Sequence, residues 1–156
     1  MTETWTVRSF QPEDQPAAKA LILEGLREHW GTIDPAKNPD LDDIASSFAG
    51  GSFRVAERGG RIVGTGALVR RSADTAEIRR MSVARSLRRR GVGGAILRQL
   101  ITDAQAAGYR NVVLETTSSW KDAEAFYLRH GFRITHYQDG DTYFLLELNP
   151  PPASMV

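Results

Sequence analysis

Three arginines and three glycines in seven residues make the stretch with the clearest chemical use: Arg88-Arg89-Arg90-Gly91-Val92-Gly93-Gly94. Before it, Glu77 to Val83 has strand character. After it, apolar residues at Val92, Ile96, Leu100 and Ala104 keep a four-residue spacing that marks one face of a helix. A helix N-terminus leaves backbone N–H groups without intrahelical acceptors, and its aligned peptide dipoles make that end positive. Glycines there let an anion reach the backbone with no Cβ in the way. The chemistry is that of a pyrophosphate cradle, with Arg88, Arg89, Arg90, Gly91, Val92, Gly93 and Gly94 as candidate contacts.

Spacing removes two familiar owners of such a cradle. A Gly-x-Gly-x-x-Gly dinucleotide turn starting at Gly91 needs glycine where the chain has Ile96, and a Walker loop needs Gly-Lys-Ser/Thr where Ala95 and Ile96 follow Gly94. A solvated basic turn and a nucleic-acid patch are the competing readings of the arginines. The second is weakened by a net charge of only +1 and by aromatics that are not interleaved with the basic residues; no nucleic-acid partner is expected.

The chain that must position this turn has 156 residues, enough for one domain with its own core. No cysteine is present, which removes disulfides, thiolate metal sites and a cysteine nucleophile. With only His29, His130 and His136 a metal site is not expected either. No apolar run approaches the roughly 20 residues that span a bilayer, and the N-terminus lacks a signal-peptide pattern, so a cytoplasmic protein without a membrane partner is expected. Residues 1–50 carry nine acidic side chains against four basic ones, whereas residues 70–90 carry eight arginines against Asp74 and Glu77. Such asymmetry suits a protein that handles one anionic and one cationic substrate.

In order, the patterns predict a strand near Trp5–Phe10, a helix ending at Gly31, a polar loop, and a second helix over Leu41–Ala49. A hairpin follows, Phe53–Glu57 and Ile62–Val69 about Gly59-Gly60, then a strand over 76–83. The glycine turn opens a helix from about Gly91 to Ala107. Asn111–Thr116 reads as a buried strand, parallel to 76–83 because a whole helix separates them. A helix over Trp120–His130 and a closing hairpin, Phe132–Tyr137 with Thr142–Leu148, complete a single domain over residues 1–150. Pro150-Pro151-Pro152 cannot continue a sheet, so residues 151–156 are expected to be a flexible tail.

This order of elements resembles the GCN5-related N-acetyltransferase (GNAT) superfamily over roughly residues 5 to 149. Two motifs carry the resemblance. The acetyl-CoA signature Gln/Arg-x-x-Gly-x-Gly/Ala is matched by Arg88 to Gly93, and Ala-x-x-x-Tyr-x-x-x-Gly-Phe by Ala123, Tyr127, Gly131 and Phe132. The resemblance implies an α/β (α+β) fold: a mixed, mostly antiparallel sheet of about seven strands with helices on both faces. It also implies an N-acetyltransferase that moves an acetyl group from acetyl-CoA to a primary amine by direct attack in a ternary complex, with no metal. A non-catalytic acyl-CoA-binding or regulatory module on the same fold is the alternative.

In such proteins the strand before the glycine turn is bulged and offers backbone groups to the pantetheine arm, which places Met81, Ser82 and Val83 on the donor. The strands equivalent to 76–83 and 111–116 splay, and the thioester lies between them. Tyr127 takes the position of the acid that protonates the departing thiolate. Glu77, six residues before Val83, takes that of the catalytic glutamate in histone-acetylating members, with ordered water as the competing base. Many members carry asparagine seven residues before the tyrosine; here it is Trp120. The acceptor pocket falls near His29, Trp30 and the acidic segment to Asp43, where a small-molecule or protein amine would enter. Homodimers are common in such folds, and the residues leave that open.

Overall fold

The computed structural model describes residues 4–148; the expected tail at residues 151–156 lies outside them. The strands are β1 (Thr6–Ser9), β2 (Ser52–Arg58), β3 (Arg61–Arg70), β4 (Thr75–Val83), β5 (Asn111–Thr117), β6 (Arg133–Gln138) and β7 (Asp141–Glu147). The α-helices are α1 (Gln15–Trp30), α2 (Ile44–Ser47), α3 (Val92–Ala106) and α4 (Lys121–Arg129). The strands form one sheet in the order β1-β2-β3-β4-β5-β7-β6. β4 and β5 run parallel, while β1–β2, β2–β3, β5–β7 and β6–β7 are antiparallel. The mixed, mostly antiparallel sheet expected from the sequence is therefore the observed one.

The chain divides into two compact units, Met1–Val69 with Arg79–Leu100, and Arg70–Ile78 with Ile101–Val156. In the first, β3 is covered on both faces. Side chains alternate along a strand, and a Cβ at Gly66 would lie 2.6 Å from Met81 Sδ and 2.7 Å from Ile96 Cγ2, so glycine there lets α3 approach the strand closely. On the other face Ala67 joins Ala18, Ile22, Leu41, Ile44, Phe48, Phe53 and Val55 in a buried cluster. In the second unit, Val112 and Leu114 of β5 are buried opposite Leu146 and Phe144 of β7. The β4–β5 ladder covers only Thr75–Glu77 against Asn111–Val113, and β5 continues to Thr117 paired with β7.

One expected element is different. The helix over Leu41–Ala49 is instead a 3₁₀ turn at Pro39–Leu41 followed by the single-turn α2. Asp43 interrupts it: its backbone is not helical (φ −147°, ψ 86°), and its side chain accepts a hydrogen bond from the Ser46 amide at 3.1 Å, so it starts a helix instead of sitting inside one. Leu41, Ile44 and Phe48 are nonetheless buried, as the apolar spacing required. At the other end of the chain α4 begins one residue later than expected, with Trp120 as its N-cap.

Candidate functional site

The glycine turn belongs to the first unit. Arg85–Leu87 forms a 3₁₀ turn, Arg88 is extended (ψ 149°), Arg89 is left-handed (φ 64°) and Gly91 is left-handed (φ 93°) before α3 begins at Val92. The Ala95 amide donates to the Gly91 carbonyl at 3.0 Å, the first bond of the helix, so the amides of Val92, Gly93 and Gly94 have no intrahelical acceptor. Nothing but Trp5, 3.6 Å away, would meet a Cβ at Gly91; its backbone angle is what calls for glycine. This is a helix N-terminus able to hold an anion through backbone donors.

Arg88 does not direct its fork outward. Its Nη1 and Nη2 donate to the two carboxylate oxygens of Glu28 at 2.7 and 2.9 Å, and Nε donates to the Val83 carbonyl at 3.1 Å. The pair ties the turn to α1, and the guanidinium beside Glu28 holds that carboxyl below the usual range. Arg89 and Arg90 are exposed.

The strand feeding the turn carries its irregularity at Arg80, which has φ 58°. Beyond it two side chains of β4 pack against glycines. Met81 Sδ packs over Gly66, and Ser82 Oγ lies 3.1 Å from where a Cβ at Gly25 of α1 would be. Met81, Ser82 and Val83 are each half-buried at the end of β4. A cleft of about 650 Å³ in this unit is lined by α1, the β2–β3 hairpin and the residues from Val83 to Arg88. His29 and Trp30 sit at the C-terminal end of α1, outside that lining; Trp30 is 57% exposed.

Glu77 and Tyr127 belong to the second unit. Glu77 is 4% exposed, and Arg71 Nη1 donates to its Oε1 at 3.3 Å. Tyr127 is 7% exposed, its ring held edge-on by Phe132 at 5.8 Å and tilted against Phe144 at 5.7 Å. Burial pushes the phenol well above its ordinary pKa, so it stays protonated across the working range of pH.

The sequence reading missed two polar groupings in this unit. Glu124, one turn before Tyr127 on α4, is buried; it accepts from the hydroxyl of buried Thr142, which also bonds Ser118 Oγ at 2.8 Å. On the opposite face of β5 and β7, the Tyr143 hydroxyl is bonded to the Glu115 carboxylate, which raises the pKa of the phenol. The Tyr143 ring stacks on His136 at 4.3 Å. Neither grouping follows from spacing alone, because each depends on cross-strand register, and the β6–β7 register shifts between Ile134 and His136. Glu124 alone left a signal, an acidic residue on the apolar side of a helix. Among the described residues no cluster of side chains could hold a metal ion.

Comparison with known proteins accords with this geometry. The family model described as the acetyltransferase (GNAT) family matches residues 14–132. The uncharacterized N-acetyltransferase YjgM of Escherichia coli (strain K12) is 27% identical over 144 residues, covering 87% of this chain and 86% of that one. N-acetylaspartate synthetase of Danio rerio is 33% identical over 143 residues, covering 85% of this chain, which spans 48% of that protein's length. The structure of the PaiA N-acetyltransferase from Thermoplasma acidophilum in complex with coenzyme A superposes with a TM-score of 0.81 at 14% identity, over 93% of this chain and 99% of that one. The match over residues 14–132, with the glycine turn and Tyr127 both inside it, means that this chain belongs to the GNAT acetyltransferase family.

Proposed function

We propose that this chain is an acetyl-CoA-dependent N-acetyltransferase acting on a primary amine. The left-handed turn at Arg89 and Gly91, opening α3 with three amides that lack intrahelical acceptors, carries the proposal: it offers the kind of backbone cradle that a CoA pyrophosphate needs. Family membership and the coenzyme A held by the Thermoplasma acidophilum relative support the same donor. In this reading Arg88 to Gly94 hold the phosphates, Arg88 through its backbone because its side chain is engaged with Glu28. Met81, Ser82 and Val83 offer backbone groups to the pantetheine arm.

The chemistry is a direct transfer. The amine must first lose its proton, since an ammonium with a pKa of about 10 has no lone pair; Glu77 or an ordered water takes it. The amine nitrogen then attacks the thioester carbonyl, a tetrahedral oxyanion forms, and its collapse breaks the C–S bond. The departing thiolate takes the Tyr127 proton, and the attacking nitrogen gives up its second proton, which restores the phenol, so that the products are the amide and the free thiol of coenzyme A. The chain has no cysteine to carry an acyl group, and the scheme uses no metal. To act as base, Glu77 must share its carboxylate with Arg71.

The acceptor is a primary amine of a small molecule or a protein, with His29 and Trp30 at the end of α1 proposed to meet it. No helix among the described residues is long and apolar enough to cross a membrane, and we place the reaction in the cytoplasm. Calorimetric titration of the full chain with coenzyme A tests the donor. Saturable binding is expected; a wild-type protein that takes up no coenzyme A would overturn the proposal.

A further inference from the structure

Arg80 is an L-residue held where glycine is at home. Its φ of 58° lies in the left-handed region, in the middle of β4. There the Cβ crowds the carbonyl oxygen, and such angles persist only where surrounding contacts impose them. Three contacts do so here. Arg80 Nε donates to Asp40 Oδ2 at 2.9 Å and Nη2 to Asp40 Oδ1 at 2.7 Å, a two-pronged pair from the Pro39–Leu41 turn. From the other side Thr65 of β3, which is fully buried, donates its hydroxyl to the Arg80 carbonyl at 2.7 Å. The side chain is anchored by one segment and the carbonyl by another, so the residue between them cannot relax to an extended angle. The burial pattern of β4 records the consequence. Ala76, Glu77 and Ile78 are buried and Arg79 is exposed, but Arg80 to Val83 are all half-buried, with no alternation. A left-handed angle inside a strand breaks its alternation and re-aims the residues that follow.

We propose that Asp40 and Thr65 are positioning residues for the donor: by clamping Arg80 in the left-handed region they turn the backbone of Met81 to Val83 toward coenzyme A. The inference rests on the donor assignment above. It adds that the segment between α1 and α2, through Asp40, governs how tightly the donor is held.

Two substitutions separate the backbone from the guanidinium. Arg80→Ala and Arg80→Gly both delete the ion pair, but glycine adopts the left-handed angle at no steric cost and alanine does not. In calorimetric titrations with coenzyme A, Arg80→Ala should bind about tenfold more weakly than wild type. Arg80→Gly should stay within about threefold. Thr65→Val, which loses the donor, should weaken binding about fivefold, while Thr65→Ser, which keeps it, should bind as wild type does. Thermal melts confirm that each variant is folded; if Arg80→Ala is not, the Thr65→Val and Thr65→Ser pair makes the same decision. Equal affinities for Ala and Gly at position 80, or for Val and Ser at position 65, would overturn the clamp while leaving the donor assignment intact. A wild type that does not bind coenzyme A would overturn both.

Discussion

In the first unit the residues proposed to hold the donor are defined by backbone angles: Arg80, Arg89 and Gly91 are left-handed, and the amides of Val92 to Gly94 lack intrahelical acceptors. In the second the residues proposed to do chemistry are defined by burial: Tyr127 and Glu77 are each less than a tenth exposed, with aromatic rings or a polar partner fixing them. The difference teaches where each unit is vulnerable. A backbone site survives a change of side chain and fails when an angle becomes unavailable. A side-chain site keeps its backbone and fails when one functional atom is removed.

Deleting one oxygen is the severest test of that contrast. Tyr127→Phe keeps the ring among Phe132 and Phe144, yet turnover should fall by about 100-fold or more, while calorimetric affinity for coenzyme A stays close to wild type. Unchanged turnover would remove Tyr127 from the mechanism. Glu77→Gln should lower turnover by up to about 100-fold and move the acid limb of the pH–rate profile; an unmoved profile would leave the proton to ordered water.

Gly91→Val makes the reverse cut. A β-branched residue at φ 93° is a severe outlier, so coenzyme A should bind about tenfold or more weakly. Turnover at saturating acetyl-CoA should change far less. A variant that binds normally would show that the turn is not the cradle.

The smallest effect is expected away from both sites, at Asp14. Hydrogen bonds from Arg8 at 2.7 and 3.0 Å, with the Gln11 amide at 2.8 Å, hold its carboxyl below the ordinary value of 3.8. A depressed folded value means that this stabilisation is complete above about pH 4 and is lost as pH falls through the folded value. Asp14→Asn should therefore cost about 1 kcal/mol near neutral pH and flatten the acid side of the stability curve, without touching coenzyme A affinity. A steeper acid side would reverse the assignment.

What could be read in the residues follows from how local each feature is. Gly91 announced itself because glycine at a strand-to-helix turn has few other uses, and α3 because its apolar spacing lies within one element. Arg80 gave no such notice: an arginine inside a strand carries no sign of a left-handed angle, and the residues that enforce it stand 15 and 40 positions away. Arg88 looked free to meet a phosphate until Glu28, 60 residues earlier, was found beneath it. The break between Leu41 and Ile44 came from Asp43 competing for an amide, a choice that apolar spacing does not encode. The Glu115, Tyr143 and His136 row needed a bulged register that only the folded sheet supplies.

Whether this chain transfers an acetyl group is read from thiol release from acetyl-CoA across a panel of amines. With no cysteine in the protein, every thiol above the acceptor-free background is coenzyme A. Release should depend on at least one primary amine and collapse in Tyr127→Phe. Tight coenzyme A binding with no amine-dependent release would contradict acetyl transfer and leave an acyl-CoA-binding module in its place.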